Sequence, residues 1–197
     1  MLHFELRPID SLGDGIACVA KLASGRRKSQ EVKMNEAARK QRNATRLLEL
    51  YPTFRARIAA VITEMEKAGW RPRIQDAWRS PADQKIAFET GHSKLLYGFH
   101  NVTSKTGQAQ ALAVDMLDDD SPLASRKTYL LQLAAAAQNA GLVSGIRWGL
   151  PAKLQAAIDA AISAQDWKAA VKIGWDPTHL EPTDVTVAQA KTGQRPA

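Results

Sequence analysis

The segment that most restricts how this chain can fold is residues 111–117, a short apolar run that contains one acid, Asp115. Its length, with small residues on one face and larger ones on the other, is typical of a buried β-strand. An ionised carboxylate in such a strand is costly unless it is paired or bound to a metal ion. The segment therefore predicts a sheet and, on one of its strands, a carboxylate with a specific partner.

Helical patterns lie on both sides of this strand along the chain. Apolar residues repeat at intervals of three and four in the first of them, and Ser80 followed by Pro81 marks the start of the second. The predicted helices cover residues 53–68, 81–91, 129–140 and 152–164, and further strands are predicted over 73–78 and 169–175. This mixture predicts an α+β fold in which helices flank a small, mostly antiparallel sheet.

Composition divides the chain into three predicted regions. Residues 1–50 form an N-terminal arm followed by a mostly solvated basic helix over 29–50, residues 51–185 form the main domain, and residues 186–197 form a frayed tail. A length of 197 residues fits one domain with an extension.

The net charge of +7 is concentrated in residues 26–46, where eight cations are opposed only by Glu31 and Glu36. Such a run is usually the solvated face of a helix, and the alternative is contact with an anionic surface such as a cell-wall polymer, lipopolysaccharide or nucleic acid. Because aromatic residues are not interleaved with these cations, we expect no nucleic-acid partner.

The single cysteine, Cys18, excludes an internal disulfide and a Cys-rich zinc knuckle or finger. A metal site in this chain would therefore consist of His, Asp and Glu. No apolar run reaches the roughly 18 residues that cross a bilayer. Residues 1–10 also lack the pattern of a secretory signal, so we expect synthesis in the cytoplasm without a signal peptide.

Two of the four histidines lie near carboxylates at predicted strand ends, where they could take part in a catalytic or metal site. His100 precedes a polar loop that leads to Asp115, and His179 follows Asp176 by three residues. Two histidines and one aspartate form a standard catalytic zinc set that leaves one position for water. A carboxylate beside that water, here Asp176, can act as a general base.

The acidic turn formed by Asp118, Asp119 and Asp120 has two interpretations. Acidic residues are favoured at a helix N-terminus, so the turn is expected to cap the helix that follows. The alternative is a calcium site, but the turn lacks the alternating ligands and the distal glutamate of an EF-hand loop.

Three motifs together resemble the VanY-type zinc peptidases, a family that includes D-alanyl-D-alanine carboxypeptidases, dipeptidases and phage L-alanyl-D-glutamate endopeptidases. The motifs are WRSPADQ at 78–84, ALAVD at 111–115 and DPTHLE at 176–181, and a Trp-Gly pair at 148–149 precedes the last one. The resemblance extends over about 54–181. It implies a zinc peptidase domain within the predicted region 51–185.

The resemblance also implies roles for particular residues. Zinc would be bound by His100, Asp115 and His179, with Asp176 as the base that moves protons between water and the leaving amine. Arg79 would stabilise the tetrahedral oxyanion or bind a substrate carboxylate. The remaining implied site residues are Gln84 and Glu181, which would orient Arg79 and a ligand imidazole, and Trp148 in the cleft wall.

The sequence departs from the family at one ligand. The family places its first metal histidine seven residues before the aspartate, but that position here is Gln108. The nearest upstream histidine is His100, which implies an insertion over 102–109. His92 is the other nearby candidate for this ligand.

The resemblance implies a peptidoglycan peptidase that cleaves an L-Ala-D-Glu or a D-Ala-D-Ala bond of the stem peptide. Such an enzyme would act at the bacterial cell wall after release or after delivery by an export or pore partner. The alternative is a catalytically inactive module in which the insertion displaces the metal histidine and the domain only binds cell wall or another anionic polymer.

Overall fold

The computed structural model describes residues 34–91 and 93–197. In this part of the chain, six α-helices surround one four-stranded sheet, so the predicted α+β class is confirmed. The helices are α1 Glu36–Leu48, α2 Pro52–Lys67, α3 Pro81–Glu89, α4 Lys127–Asn139, α5 Ala152–Ser163 and α6 Val187–Lys191. The strands are β1 Pro72–Asp76, β2 Val114–Asp118, β3 Leu142–Gly145 and β4 Asp176–Pro182.

The sheet has the strand order β1-β2-β4-β3, and every neighbouring pair is antiparallel. Asp115, on the second strand of this order, faces Asp76 on β1 and His179 on β4. Three polar residues that are far apart in the sequence therefore form a row across three strands. This register positions the site described below.

The core consists of apolar side chains from the sheet and from the helices packed on it. α2 supplies the predicted stripe, and α4 supplies an Ala- and Leu-rich surface that contacts α2, α5 and strands β3 and β4. The stripe residues Phe54, Ile58, Val61, Ile62 and Met65 are all buried. Burial of this stripe stabilises the packing of α2 on α4 and on β1.

Helix α1 packs on β1 through polar rather than apolar side chains. Arg39 is only 1% exposed and donates hydrogen bonds to the Pro72 carbonyl and to the carboxylates of Glu36 and Glu66. The buried amide of Asn43 donates to the same carbonyl. The expectation of a mostly solvated helix misses this contact, because these side chains satisfy backbone groups of an edge strand. The predicted residues 29–33 of this helix lie outside the described residues.

The prediction of a strand over 169–175 is wrong. The strand begins only at Asp176, and residues 169–175 form no regular secondary structure. In this segment the Gly174 amide donates to the Ile146 carbonyl of a distant segment at 2.7 Å. A Cβ on Gly174 would lie 2.6 Å from the Trp148 carbonyl oxygen. The close approach of two backbones therefore requires glycine here and ends the extended pattern.

The last residues are also more ordered than the predicted frayed tail. They include helix α6, and the Arg195 guanidinium donates to the carbonyls of Ala190 and Thr103. The Thr53 hydroxyl donates to the Pro196 carbonyl. These hydrogen bonds attach the end of the chain to the start of α2 and to the segment after His100.

The acidic turn does not cap α4, whose N-cap residue is Arg126. Asp118 and Asp119 are fully buried and form ion pairs with Arg126 and Arg71 respectively. Because these carboxylates are already paired with arginines, the turn is a structural ion-pair cluster.

Over residues 34–91 and 93–197, no helix combines the length and the apolar character that a membrane span requires.

The buried amide of Asn43 yields a stability prediction. It donates to the Pro72 carbonyl at 2.9 Å and accepts from the Ile74 amide at 2.8 Å. Asn43→Leu leaves the buried Ile74 amide unpaired and removes one of the two side-chain donors to the Pro72 carbonyl, which keeps Arg39. We therefore expect the free energy of unfolding to fall by about 2 kcal/mol in urea denaturation. The exposed Gln41 on the same helix is the matched control, and Gln41→Leu is expected to change stability by less than about 0.5 kcal/mol. Equal losses in the two variants would contradict this role of Asn43.

Candidate metal centre

The structure brings together His100, Asp115 and His179. One ligand atom from each lies within 4.8 Å of the other two. The three side chains come from separate elements: a 3-10 turn at Phe99–Asn101, strand β2 and strand β4. Both histidines are buried, and the Asp115 side chain keeps 23% exposure, so the group is reached from solvent on the carboxylate side.

The insertion after His100 does not separate it from Asp115, because the inserted residues form a closed hairpin. The Gln110 amide donates to the Val102 carbonyl at 2.9 Å, and Thr103 pairs with Ala109. The ends of the insertion therefore lie side by side. Although fifteen residues separate His100 from Asp115 in the sequence, the closed hairpin adds little distance between them.

The His100 imidazole has one satisfied and one unsatisfied nitrogen. Its Nδ1 lies 2.5 Å from the Ala77 carbonyl oxygen, which can only accept, so Nδ1 carries the proton. Its Nε2 is buried, has no hydrogen-bond partner among the described residues and lies 3.7 Å from Asp115 Oδ2. A buried ring nitrogen that has no partner and faces a carboxylate fits the ligand atom of a metal site.

His179 is held by carboxylates on both of its ring nitrogens. Nδ1 lies 3.2 Å from Asp115 Oδ1, and Nε2 lies 3.1 Å from Glu181 Oε2. Burial alone would lower the pKa of His179, but the hydrogen bonds to Asp115 and Glu181 outweigh it and raise that pKa to about 10. The contact with Glu181 fixes the ring so that Nδ1 faces the other two ligands.

The charge of Asp115 is stabilised by the two imidazoles. Burial would raise the pKa of this carboxyl, but the neighbouring His100 and His179 hold it well below its usual range. The carboxylate therefore stays ionised at neutral pH, as a metal ligand must.

Asp176 lies beside the cluster, with Oδ2 4.0 Å from His179 Nδ1. Burial and, next, the charge of Asp115 raise the pKa of Asp176, in the direction expected for a group that exchanges protons near neutral pH. Its backbone position depends on Gly145, because a Cβ there would lie 2.2 Å from the Asp176 carbonyl oxygen. The β3–β4 register shifts at this pair.

Arg79 is fixed next to the cluster by two neighbours. Its Nε and Nη2 donate to Asp76 Oδ2 at 2.9 and 2.5 Å, and its Nη1 donates to Gln84 Oε1 at 3.0 Å. Nη2 also lies 3.7 Å from Asp115 Oδ2. The predicted neighbour Gln84 lies where the sequence placed it, whereas Asp76 was missed, although its position three residues before Arg79 in an alternating strand was a usable signal.

The cluster opens into a cleft of about 450 Å³. Its wall includes Trp148, whose ring centroid lies 5.0 Å from that of His179, and Trp175, 5.6 Å from Trp148. Lys94, at the same cleft, has its Nζ 4.5 Å from the Trp175 ring centroid. Trp148 was predicted in this position, but Trp175 and Lys94 were not predicted as site residues. The alternative ligand His92 lies outside the described residues.

No protein-family model and no curated protein matches the chain. Among solved structures, the crystal structure of Serratia marcescens L-Ala D-Glu endopeptidase ChiX is similar at a TM-score of 0.43 and 19% identity. That alignment covers 72% of this chain and 86% of the other. Family and activity are therefore inferred from the residues of the site.

The three clustered side chains predict a specific pattern of metal affinity. We expect His100→Ala, Asp115→Ala and His179→Ala each to weaken zinc binding at least about 100-fold, because each removes one of the three candidate ligands that the described residues bring together. Glu181→Gln is expected to weaken it about tenfold by loosening the His179 ring. Isothermal titration with zinc measures both effects.

Gln108→Ala is the matched control for these variants, since Gln108 occupies the position where the family carries its histidine. We expect this variant to bind zinc as the unaltered protein does. A loss at Gln108 with none at His100 would show that the ligand assignment is wrong.

Metal binding is also predicted to depend on pH. His179 has a pKa of about 10 without metal, so its imidazole is protonated at pH 7 and must lose a proton when Nδ1 binds an ion. We expect about one proton to be released per zinc, and the logarithm of the affinity to rise by about one per pH unit below that pKa. Titrations in buffers of different ionisation enthalpy count the protons, and a pH-independent affinity would contradict the prediction.

Proposed function

We propose that this chain is a zinc-dependent peptidase of the VanY-type family that hydrolyses a stem-peptide bond of peptidoglycan, of the L-Ala-D-Glu or the D-Ala-D-Ala type. The observation that carries the proposal is the convergence of His100, Asp115 and His179 at a cleft, with a buried, unpaired nitrogen on His100. The three sequence motifs supply the family and the substrate class.

The donor set fits zinc in its chemistry. Two imidazoles and one carboxylate are ligands that zinc prefers, and three protein ligands leave a position for water in a catalytic site. A zinc ion bound here would lower the pKa of a coordinated water toward neutrality and polarise the scissile carbonyl. The second nitrogens of both histidines already have partners, Ala77 and Glu181, which hold the rings in place.

Asp176 is the residue proposed to move the proton. Its carboxylate accepts a proton from the attacking water and delivers it to the nitrogen of the leaving amine, so the residue ends the cycle ionised. The raised pKa of Asp176 suits the first of these transfers, because a carboxylate of higher pKa is a stronger base toward the attacking water. Its position beside His179 keeps both transfers within one small region.

Arg79 is proposed to stabilise negative charge on the substrate. Asp76 and Gln84 hold its guanidinium in one orientation, so little reorganisation is needed when charge develops on the carbonyl oxygen. The same planar group could bind a substrate carboxylate instead.

The proposed substrate places the site of action at the bacterial cell wall. We propose that the protein reaches it after release from the cell or with the help of an export or pore partner.

The non-catalytic alternative supposed that the insertion displaces the metal histidine. The hairpin at 102–110 closes on itself, and a His100 ring nitrogen lies within 4.8 Å of ligand atoms of Asp115 and His179, which supports a retained histidine over a displaced one. The peptidase is therefore the function that the geometry favours.

Activity on peptidoglycan tests the proposal. We expect the zinc-loaded protein to release new amino groups from purified peptidoglycan, and Asp176→Asn to lower kcat at least about 100-fold while zinc content is unchanged. The exposed Asp166, outside the cleft, is the matched control, and Asp166→Asn is expected to keep full activity. A fully zinc-loaded protein that releases no amino groups would contradict the proposed function.

A further inference from the structure

We propose that Lys94, held against Trp175, forms an anion subsite that binds a carboxylate of the stem peptide away from the scissile bond. This inference rests on the proposed function, which supplies the peptide as ligand. It assigns a specificity role to a lysine that belongs to none of the three motifs.

Lys94 differs from the other charged residues that line the cleft. Arg79 is paired with Asp76, and Asp115 and Glu181 contact His179. Lys94 forms no ion pair with any of the described residues, although its Nζ is at the cleft. The cleft therefore carries a cation whose charge an incoming ligand is free to neutralise.

The exposed ammonium of Lys94 lies over an aromatic ring. Its Nζ lies 4.5 Å from the centroid of the Trp175 ring, a distance at which a cation is attracted to the indole face. Trp175 is itself 49% exposed and lies on the ring of Trp148. A half-exposed indole with an ammonium over its ring offers an apolar surface that carries a positive charge.

The backbone on both sides of Lys94 is tied to the residue that holds Arg79. The Gln84 side chain is 2% exposed, and its Nε2 donates to Ser93 Oγ at 2.8 Å and to the Leu95 carbonyl at 2.5 Å. Its Oε1 accepts from Arg79. The buried Gln84 amide thus fixes the segment that carries Lys94 relative to the Arg79 guanidinium, which lies beside the metal centre.

The subsite is continuous with the metal centre. The Trp175 ring contacts Trp148, and Trp148 contacts the ligand His179, so a peptide that lies along these rings runs from the ligands to Lys94. The separations along this path are 5.0 Å from His179 to Trp148, 5.6 Å from Trp148 to Trp175 and 4.5 Å from Trp175 to Lys94 Nζ. An extended peptide advances about 3.3–3.6 Å per residue, so about four residues cover the whole path. Two carboxylates of the stem peptide meet this condition: the free carboxylate of the glutamyl residue and the C-terminal carboxylate.

The test compares acid and amide forms of the same peptide. Three synthetic stem peptides are needed: one with both carboxylates free, one with the glutamyl carboxylate amidated and one with the C-terminus amidated. We expect the unaltered protein to prefer the free acid over one of the amides by about tenfold in kcat/KM, and the amide that is disfavoured identifies the carboxylate. The preference should weaken as salt is raised, because Lys94 is exposed.

Lys94→Gln is expected to abolish this preference, and Lys94→Arg to retain most of it. Lys153→Gln makes the same change of charge at an exposed lysine outside the cleft and is expected to leave the preference intact. An acid-to-amide ratio that is the same in Lys94→Gln as in the unaltered protein would overturn the proposal.

Binding of the same peptides to the zinc-loaded Asp176→Asn protein separates this inference from the proposed function. If binding favours the acid through Lys94 but the unaltered protein cleaves none of the peptides, the subsite stands and the peptidase proposal fails. If cleavage occurs with no preference in either measurement, the peptidase stands and the subsite is excluded. If none of the peptides binds, both are excluded.

Discussion

The arrangement of the site depends on the negative charge of Asp115, a carboxylate on β2 that neighbouring groups must stabilise. The register of β2 sets Asp115 opposite His179 on one side and opposite Asp76 on the other, so its side chain lies on the same row of the sheet as theirs. The imidazoles of His100 and His179 stabilise that charge. The guanidinium of Arg79, which follows β1 in the chain, lies 3.7 Å from the same carboxylate. Asp115 is therefore the residue that the other groups of the candidate centre surround and contact.

The hairpin after His100 shows why residue spacing alone is a weak guide to a metal site. A ligand position is set by the elements on either side of a loop, and a loop whose ends are hydrogen-bonded can change length at little cost to either. Here the Gln110–Val102 hydrogen bond closes the insertion, and the Leu112 amide donates to the Phe99 carbonyl next to His100. This hydrogen bond joins the turn that carries His100 directly to the residues that precede β2.

Features set by neighbours along the chain could be predicted from the sequence, and features set by distant contacts could not. The stripe of α2 and the Ser80 cap of α3 are local, and both lie where they were predicted. The burial of Arg39 depends on a carbonyl of another element, and the late start of β4 depends on the space around Gly174. The candidate ligands Asp115 and His179 could be proposed because they lie in motifs, whereas His100 lies outside the family spacing, which left His92 as an alternative. Asp76 and Lys94 were missed because their roles come only from what they contact in the fold.

The central claim is that one divalent ion is shared by His100 Nε2, an Asp115 oxygen and His179 Nδ1. A crystal structure of the zinc-soaked protein, with anomalous data collected at the zinc edge, tests it directly. The account predicts one strong peak about 2.0–2.2 Å from each of these three atoms. A peak bound through any other histidine in place of His100, or no peak between the three side chains, would contradict it.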